Sequence, residues 1–260
     1  MGVQLDVRQP LLLGSPGEGE AITDRPNREL RILCDHEWLT VTWTRHAAGQ
    51  RGAEPHVHRE HCDAFYVLQG QLTVRLGPEG APLYATAGTL AVIPPGVVHG
   101  FDNDGAGEAR FLNFHAPDGG FAHYLRTQEP FDSFDPPADG GRPASDAIVT
   151  RAGCGERFQR EDRAITILAA LPELSVFRLE VEPEWAGIGA HGHDDQVDAF
   201  FVLAGDTGFV RGGEVVRAGA GSFYAAQPGG RHGVVHEGGR IVLLNMHGPD
   251  AGFAESIRRL

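Results

Sequence analysis

The amino-acid sequence repeats itself, and this repeat constrains the fold more than any other feature. Residues 56–70 match residues 191–205, and residues 113–122 match residues 245–254. The two matches keep the same order, with offsets of 135 and 132 residues, as a duplicated unit with short loop deletions would. A chain of 260 residues is long enough for each copy to bury its own core. We therefore predict two domains of one fold.

The join between the two copies has the composition of a linker. It contains Pro136-Pro137 and Gly140-Gly141, which favour turns and irregular backbone. We place the first domain at residues 1–129, the linker at 130–145 and the second domain at 146–260. The linker also carries Phe131 and Phe134, which could dock on a domain, so we do not expect it to be fully flexible.

Each copy is predicted to be built mainly of strands. Residues 39–44 and 71–76 alternate between apolar and polar side chains, and residues 64–68 form a β-prone run that ends at Gly70. The chain also has 36 glycines and 17 prolines, which suits many short strands joined by tight turns. The fold class indicated is all-β, as a small antiparallel barrel or jelly roll.

One helix is predicted at the end of each copy. Asp118 precedes the first predicted helix, residues 121–126, and Asp250 precedes the second, residues 253–259. Aspartate is a favoured residue at a helix N-terminus because its side chain accepts hydrogen bonds from free backbone N–H groups. Each unit is therefore expected to be closed by a short C-terminal helix.

Most of the 13 histidines fall in a few short segments with spacing suited to a metal. Two histidines separated by one residue on a strand project from the same face, so they can bind one ion. An aspartate five positions later lies across a turn, and a further histidine can come from a neighbouring strand. Three imidazoles and one carboxylate suit Fe, Mn, Ni, Co, Zn or Cu. The candidate ligands are His56, His58, Asp63 and His99 in the first copy and His191, His193, Asp198 and His232 in the second.

These motifs resemble those of the cupin superfamily. The first family motif is His-x-His, an acidic ligand and a glycine, and it is matched here twice with correct spacing. The second motif matches in the first copy at Gly88, Pro94, Gly96, His99 and Asn103. The resemblance covers nearly the whole chain and implies two tandem cupin barrels, each with one divalent transition metal. It is strongest to bicupins of the quercetin dioxygenase-like type.

The chain departs from the family pattern in two places. The acidic ligand is usually Glu, whereas Asp63 and Asp198 are one methylene shorter. They could bind the metal directly if the strand sits closer, or bind it through water. The second motif is looser in the second copy, where Gln227 and His236 replace the proline and asparagine. We therefore expect the first site to be the better occupied.

Residues around the metal are candidates for a substrate pocket. On a regular strand, Phe65 and Val67 share the face of Asp63, and Phe200 and Val202 share the face of Asp198. They would form apolar pocket walls, which differs little from ordinary barrel core. An inward arginine could hold a carboxylate substrate, although an outward position on the strand is more ordinary. The candidates for that role are Arg75 and Arg211.

Two further histidines are candidate catalytic residues. His115 and His247 occupy equivalent positions on the last strand of each copy, where they could act as acid or base or support the ligands. The alternative is a structural link to the closing helix. We expect His61 to be exposed in the loop before Asp63, and Cys62 to face away from the site as a structural thiol.

Several function hypotheses are compatible with these motifs. The leading one is a metal-dependent dioxygenase that cleaves an enolic or aromatic small molecule with O2. The second is a metal-dependent isomerase, lyase or decarboxylase that acts on a small polar acid. The third is a non-enzymatic ligand-binding or storage cupin. Cupins host all of these functions, so the motif alone does not choose among them.

Charge and hydropathy indicate which binding partners and which cellular location to expect. The formal net charge of -13 disfavours binding to nucleic acid. The longest early apolar run, residues 11–13, is too short for a signal peptide or a membrane span. Three widely spaced cysteines indicate reduced thiols rather than a disulfide framework. We expect a cytoplasmic protein without a nucleic-acid or membrane partner, which could form a homodimer.

Overall fold

The computed structural model describes residues 10–259 and divides into two compact units. One unit is Glu20–Cys154. The other is Gly155–Leu260 together with the N-terminal segment up to Gly19. The segment predicted as a linker, residues 130–145, therefore groups with the first unit. No helix of the described residues is long and apolar enough to cross a membrane.

The described residues form 21 β-strands and two α-helices. The first eleven strands are β1 (Leu11–Leu13), β2 (Glu20–Arg25), β3 (Arg28–His36), β4 (Leu39–His46), β5 (Cys62–Gln69), β6 (Gln71–Leu76), β7 (Ala81–Thr86), β8 (Leu90–Ile93), β9 (His99–Asp102), β10 (Ala109–Ala116) and β11 (Ile148–Thr150). The others are β12 (Glu156–Gln159), β13 (Arg163–Ala170), β14 (Ser175–Val181), β15 (Ile188–His191), β16 (Val197–Ala204), β17 (Asp206–Arg211), β18 (Glu214–Gly219), β19 (Phe223–Ala226), β20 (His232–Val235) and β21 (Ile241–Gly248). The helices are α1 (Phe121–Thr127) and α2 (Phe253–Arg258).

The first unit consists of two antiparallel sheets around one core. The larger sheet has the order β11-β8-β5-β10-β4-β3-β2, and the smaller has the order β7-β6-β9. Phe65 and Val67 on β5 pack with Leu72 and Val74 on β6, so the core lies between the two sheets. The crossed strand order is that of a jelly roll, and both sheets are open rather than closed barrels. The predicted all-β fold class is confirmed.

The second unit repeats this plan. Its larger sheet has the order β1-β19-β16-β21-β14-β13-β12, and its smaller sheet has the order β15-β20-β17-β18. Phe200 and Val202 on β16 pack with Phe209 on β17 and with Tyr224 and Leu243. The strand β1, which precedes the whole first unit in the sequence, pairs with β19 at the edge of this larger sheet.

A short helix follows the last long strand of each unit, as predicted. Ala122 and Leu125 of α1 pack against Leu30 and Ile32 of β3. The residue before α1 is Gly120 in a left-handed conformation, and Asp118 lies two residues earlier. The Asp118 carboxylate accepts hydrogen bonds from the backbone N–H groups of Gly120 and Ala122 at 3.1 and 3.2 Å. Asp250 accepts a hydrogen bond from Ala254 N–H in the same way.

Candidate metal centres

The four predicted ligands of the first unit lie together. His56 forms a backbone bridge with His99, the first residue of β9, and His58 follows His56 on the same segment. Asp63 stands near the start of β5. One potential ligand atom from each of these four residues lies within 4.8 Å of the others. The local β-structure therefore gathers three imidazoles and one carboxylate at one point.

Hydrogen bonds orient the three imidazoles of the first site. Nδ1 of His56 lies 2.8 Å from the carbonyl oxygen of Glu54, and Nδ1 of His99 lies 3.0 Å from that of Val97. Nδ1 of His58 bonds to the carbonyl oxygen of Asp132. Because a carbonyl only accepts, each Nδ1 carries a hydrogen, and Nε2 is the atom of each ring that can bind a metal. Carbonyl-held imidazoles of this kind are typical of metal ligands.

His58 provides the clearest sign that a metal fits this site. Its side chain is buried, and its Nε2 atom is buried with no hydrogen-bond partner among the described residues. Burial of an unpaired polar atom is costly unless a ligand satisfies it. Burial lowers the pKa of His58 well below its usual range, so the imidazole is neutral and able to bind a metal.

The carboxylate of Asp63 is fixed from two sides. Its Oδ2 atom lies 3.1 Å from Nε2 of His99 and 4.0 Å from Nε2 of His58. Its Oδ1 atom accepts a hydrogen bond from Nδ2 of Asn113 on β10. Burial acts to raise the pKa of Asp63, but the hydrogen bond and charge of His99 and the other histidines lower it overall. The carboxylate is therefore ionised, as a metal ligand requires.

His61 is buried, which corrects the expectation that it is exposed. Its Nδ1 atom lies 2.8 Å from Oδ2 of Asp132, and its Nε2 atom lies 2.9 Å from Nδ1 of His115. Nε2 of His115 lies 3.2 Å from Oδ1 of Asn113. These contacts form a continuous chain from Asp132 to Asn113, the residue that holds Asp63. His61 is buried because Asp132 lies against the loop that precedes β5. The Asp132 carboxylate also accepts hydrogen bonds from the backbone N–H groups of residues 59 and 60.

His115, a predicted catalytic residue, lies beside the first site. Its Nε2 atom is 3.6 Å from Oδ1 of Asp63. Its ring stacks on Phe121 of α1 with a centroid distance of 3.6 Å, so it also contacts the closing helix. Burial lowers its pKa well below the usual range. The position is compatible with both roles considered from sequence.

A cavity of about 470 Å³ adjoins the first site. Its wall includes the ligands His56, His58 and Asp63 together with His115 and Asn113. Aromatic and apolar side chains form much of the rest of the cavity wall, which also includes one positively charged side chain. These residues are Leu30, Phe101, Phe111, Phe121, Tyr124, Leu125, Phe131, Phe134 and Arg28.

Several residues predicted to form the first pocket lie elsewhere. Phe65 and Val67 face inward as expected, but they are fully buried in the core between the sheets and do not line the cavity. Arg75 is half-buried and forms ion pairs with Asp102 and Asp104 at 3.0 and 3.3 Å. Strand alternation therefore identified the inward face of β5, but Arg75 occupies the more ordinary outward position.

The four predicted ligands of the second unit also lie within 4.8 Å of one another. Nδ1 of His191 lies 2.9 Å from the carbonyl oxygen of Gly189, and Nδ1 of His232 lies 3.0 Å from that of Gly230. Oδ2 of Asp198 lies 2.9 Å from Nε2 of His232 and 3.8 Å from Nε2 of His193. The second site thus repeats the donor set and the orientation of the first.

The outer residues of the second site also repeat. Asn245 donates a hydrogen bond to Oδ1 of Asp198 at 2.6 Å, as Asn113 does to Asp63. His247 lies closer to its carboxylate than His115 does, with Nε2 at 3.2 Å from Oδ1 of Asp198. Hydrogen bonds and charges from the histidines overcome burial and lower the pKa of Asp198 well below its usual range.

The two sites differ in how well they are covered. The side chain of His193 is 30% exposed, whereas that of His58 is 2% exposed. Gln196 occupies the position of His61, and no described residue of the second unit corresponds to Asp132. The described residues therefore cover the second site less completely than the first.

The cavity of the second unit is smaller and more apolar. It has a volume of about 300 Å³, and its lining does not include the four candidate ligands. Phe200 lines this cavity, which is not the metal pocket for which it was predicted, whereas Val202 is fully buried in the core and Arg211 is exposed at the end of β17. The lining residues are Arg163, Ile165, Phe177, Leu179, Trp185, Gly187, Ile188, Phe200, Asn245, Phe253 and Ile257.

Sequence reasoning missed Arg28 and Arg163, which line the two cavities. They are the first residues of β3 and β13 and are separated by the same offset as the His-x-His motifs. A search for identical residues at that offset could have identified both arginines from the sequence. Sequence reasoning also missed Asp132, which lies in the segment predicted as a linker, outside the repeated motifs.

Comparisons with known proteins agree with this architecture. Solved structures of similar fold include protein YlbA from E. coli, with a TM-score of 0.70, 13% identity and coverage of 95% of this chain and 94% of that one. A putative glyoxylate-induced protein from Pseudomonas aeruginosa has a TM-score of 0.67, 17% identity and coverage of 92% and 88%. An oxalate decarboxylase from Lactobacillus farciminis, solved with formate, has a TM-score of 0.63, 11% identity and coverage of 93% and 86%.

Sequence comparison assigns the family. Among curated protein sequences no match is found. The profile of the cupin domain, however, matches residues 43–115 and again residues 177–246. Together these segments make up more than half of the chain, and each contains most of one candidate metal centre. The chain therefore belongs to the cupin domain family and carries two copies of the domain, as a bicupin.

Proposed function

We propose that the chain is a metal-dependent enzyme whose substrate reacts at the first metal centre. The observation that carries this proposal is the cavity of about 470 Å³ that the ligands His56, His58 and Asp63 share with aromatic side chains. A cavity of this size admits a small molecule, and three of the four candidate metal ligands form part of its wall. The cavity of about 300 Å³ in the second unit is not lined by the four candidate ligands of that unit.

The reaction that we propose first is O2-dependent cleavage of an enolic or aromatic substrate. A bound transition metal would act as a Lewis acid that lowers the pKa of the substrate's enol. Phe101, Phe111 and Phe121 would hold a planar substrate in the cavity. His115, whose imidazole is kept neutral by burial, would carry a hydrogen at its Nε2 atom and donate it to Oδ1 of Asn113, so that it helps to hold Asn113 against Asp63.

An oxygen-independent reaction on an organic acid is the second candidate. Arg28 in the cavity wall favours it, because a guanidinium is suited to bind a carboxylate. The similarity of fold to an oxalate decarboxylase is compatible with a decarboxylase or lyase, although it concerns the fold alone. A ligand that binds without turnover would instead favour a storage or sensing role.

Oxygen consumption separates these candidates. The metal-loaded protein would be screened against enolic and aromatic acids in an oxygen electrode, and each active compound would be repeated under strict anaerobiosis. We expect turnover to consume O2 and to stop without it. Turnover that continues unchanged under anaerobiosis would reject the dioxygenase and favour the decarboxylase, lyase or isomerase. The variant His58→Ala is the control for the first site, and His193→Ala is its match in the second.

A further inference from the structure

The side chain of Arg28 is a cation without a partner among the described residues. It lines the cavity of the first unit, and no hydrogen bond or ion pair joins its guanidinium to another described side chain. Its Nε atom is buried. Burial lowers its pKa, although arginine stays charged at any ordinary pH. A partly buried charge without a counter-ion is costly, so its presence here indicates a ligand.

His46, the neighbour of Arg28 on β4, has two ring nitrogens without a hydrogen-bond partner among the described residues. It is the register partner of Arg28 on β4, so both side chains lie on the same side of the sheet. The ring is fully buried against Phe101 and Phe111. Burial lowers the pKa of His46 to about 4. A neutral His46 can donate one N–H beside the Arg28 guanidinium.

Arg28 lines the cavity at the end away from the candidate metal ligands, whereas His46 is fully buried and is not one of the lining residues. His46 pairs with Ala109 on β10, whereas the residue of β10 that holds Asp63 is Asn113. Four residues of a strand correspond to about 13 Å. The side chain of Arg28 covers only part of this distance. A ligand that touches both ends must therefore be longer than a two-carbon diacid.

The second unit does not repeat the pair of Arg28 and His46. Arg163 occupies the position of Arg28, but its guanidinium forms an ion pair with Asp162 at 2.9 Å. Its register partner is Val181 instead of a histidine. The unpaired cation and the unpaired imidazole are therefore particular to the first unit, where the covered metal centre lies.

We propose that Arg28 binds the carboxylate of a substrate whose other end reaches the first metal centre. The substrate class is an aryl- or enol-bearing carboxylic acid. The aromatic rings between the two ends accommodate its planar part. The identity of the reactive end rests on the proposed function, whereas the binding of the carboxylate does not.

Binding to the metal-free protein tests this subsite. The probes are 3-phenylpropanoate and its amide, 3-phenylpropanamide, measured by isothermal titration calorimetry on the full chain. We expect the acid to bind at least about tenfold more tightly than the amide, since charge-assisted bonds are the stronger ones. Arg28→Gln should abolish that preference, and Arg28→Lys should retain part of it. Arg163→Gln, the matched variant of the second unit, should leave it unchanged.

Three outcomes of the binding experiment would contradict the proposed subsite. Equal binding of acid and amide, no binding of the acid, or an unchanged preference in Arg28→Gln would overturn the proposal. Circular dichroism and the binding of one metal ion by the first site would show that Arg28→Gln is folded. Failure of oxygen-dependent turnover would leave the result of this experiment untouched, because no metal and no reaction are involved.

Discussion

The Oδ2 atom of Asp63 lies 3.1 Å from the Nε2 atom of His99. Two ligands at about 2.1 Å from one ion are about 3.0 Å apart at a right angle and about 4.2 Å apart on opposite sides. The distances from Oδ2 to His99 and to His58, 3.1 and 4.0 Å, fall within that range. An aspartate is therefore long enough to be a direct ligand here.

Replacing Asp63 by asparagine should cost the first site much of its metal affinity, more than about 100-fold. A charged oxygen becomes neutral, whereas loss of a residue that merely supports the ligands costs about 10- to 100-fold. Metal titration with a competing chelator measures this change. Asp198→Asn is the matched control and should weaken only the second site. Unchanged affinity in Asp63→Asn would exclude the direct role.

The variant Asp63→Glu tests whether Asp63 binds the metal directly or through water. The strand holds the backbone so that the shorter side chain reaches the histidines, and a longer one should crowd them. We expect weaker binding than in the unsubstituted protein. A Glu that binds as well as or better than Asp would indicate a carboxylate bridged by water, which the longer side chain replaces.

Asp132→Ala should weaken metal binding in the first site alone, by about 10- to 100-fold. The carboxylate anchors residues 59–61, and the backbone oxygen of the same residue orients His58. Without the anchor, His58 and His61 lose their fixed positions. Asp139→Ala, which removes an exposed carboxylate of the same segment, is the control. Equal affinities for Asp132→Ala and Asp139→Ala would show that the segment does not support the site.

Acidification should release the second metal before the first. Burial lowers the pKa of His56 to about 4, so this ligand stays neutral in mild acid. Burial acts likewise on His232, but the hydrogen bond and charge of Asp198 raise its pKa above the usual value. Protons therefore compete with the metal at His232 at a higher pH. Metal content measured from about pH 7 to about pH 5 tests this order. Loss from the first site first would contradict it.

Arg28→Gln should not destabilise the metal-free protein and should raise its melting temperature. The substitution removes a partly buried charge that has no counter-ion among the described residues. Such residues are retained for function at a cost in stability. Differential scanning calorimetry without ligand measures the effect. A clear fall in Tm would mean that Arg28 supports the fold.

The repeat and the motif spacing predicted much of this molecule. Strand β6 begins and ends where alternation placed it, and the residues of α1 and α2 were predicted to within one residue. The clustering of the candidate ligands could be predicted because a strand fixes the side of His56 and His58, and the family motif supplies Asp63 and His99. Local periodicity and motif spacing were sufficient for these features.

The remaining features depend on contacts that are distant in the sequence. His61 is buried by Asp132, which follows it by a whole series of strands and a helix. Alternation placed Phe65 on the inward face but could not give its depth, so core and cavity wall were not separated. Arg75 was chosen for its charge, and the aspartates that pair with it come from the end of β9 and the following loop.

Metal content is the most direct test of the two-centre account. Protein purified without a His tag and reconstituted would be assayed by elemental analysis, with His58→Ala and His193→Ala alongside. We predict about two transition-metal ions per chain and about one in each variant, the first site being lost in His58→Ala and the second in His193→Ala. No bound metal after reconstitution, or loss of both ions in either variant, would contradict the account.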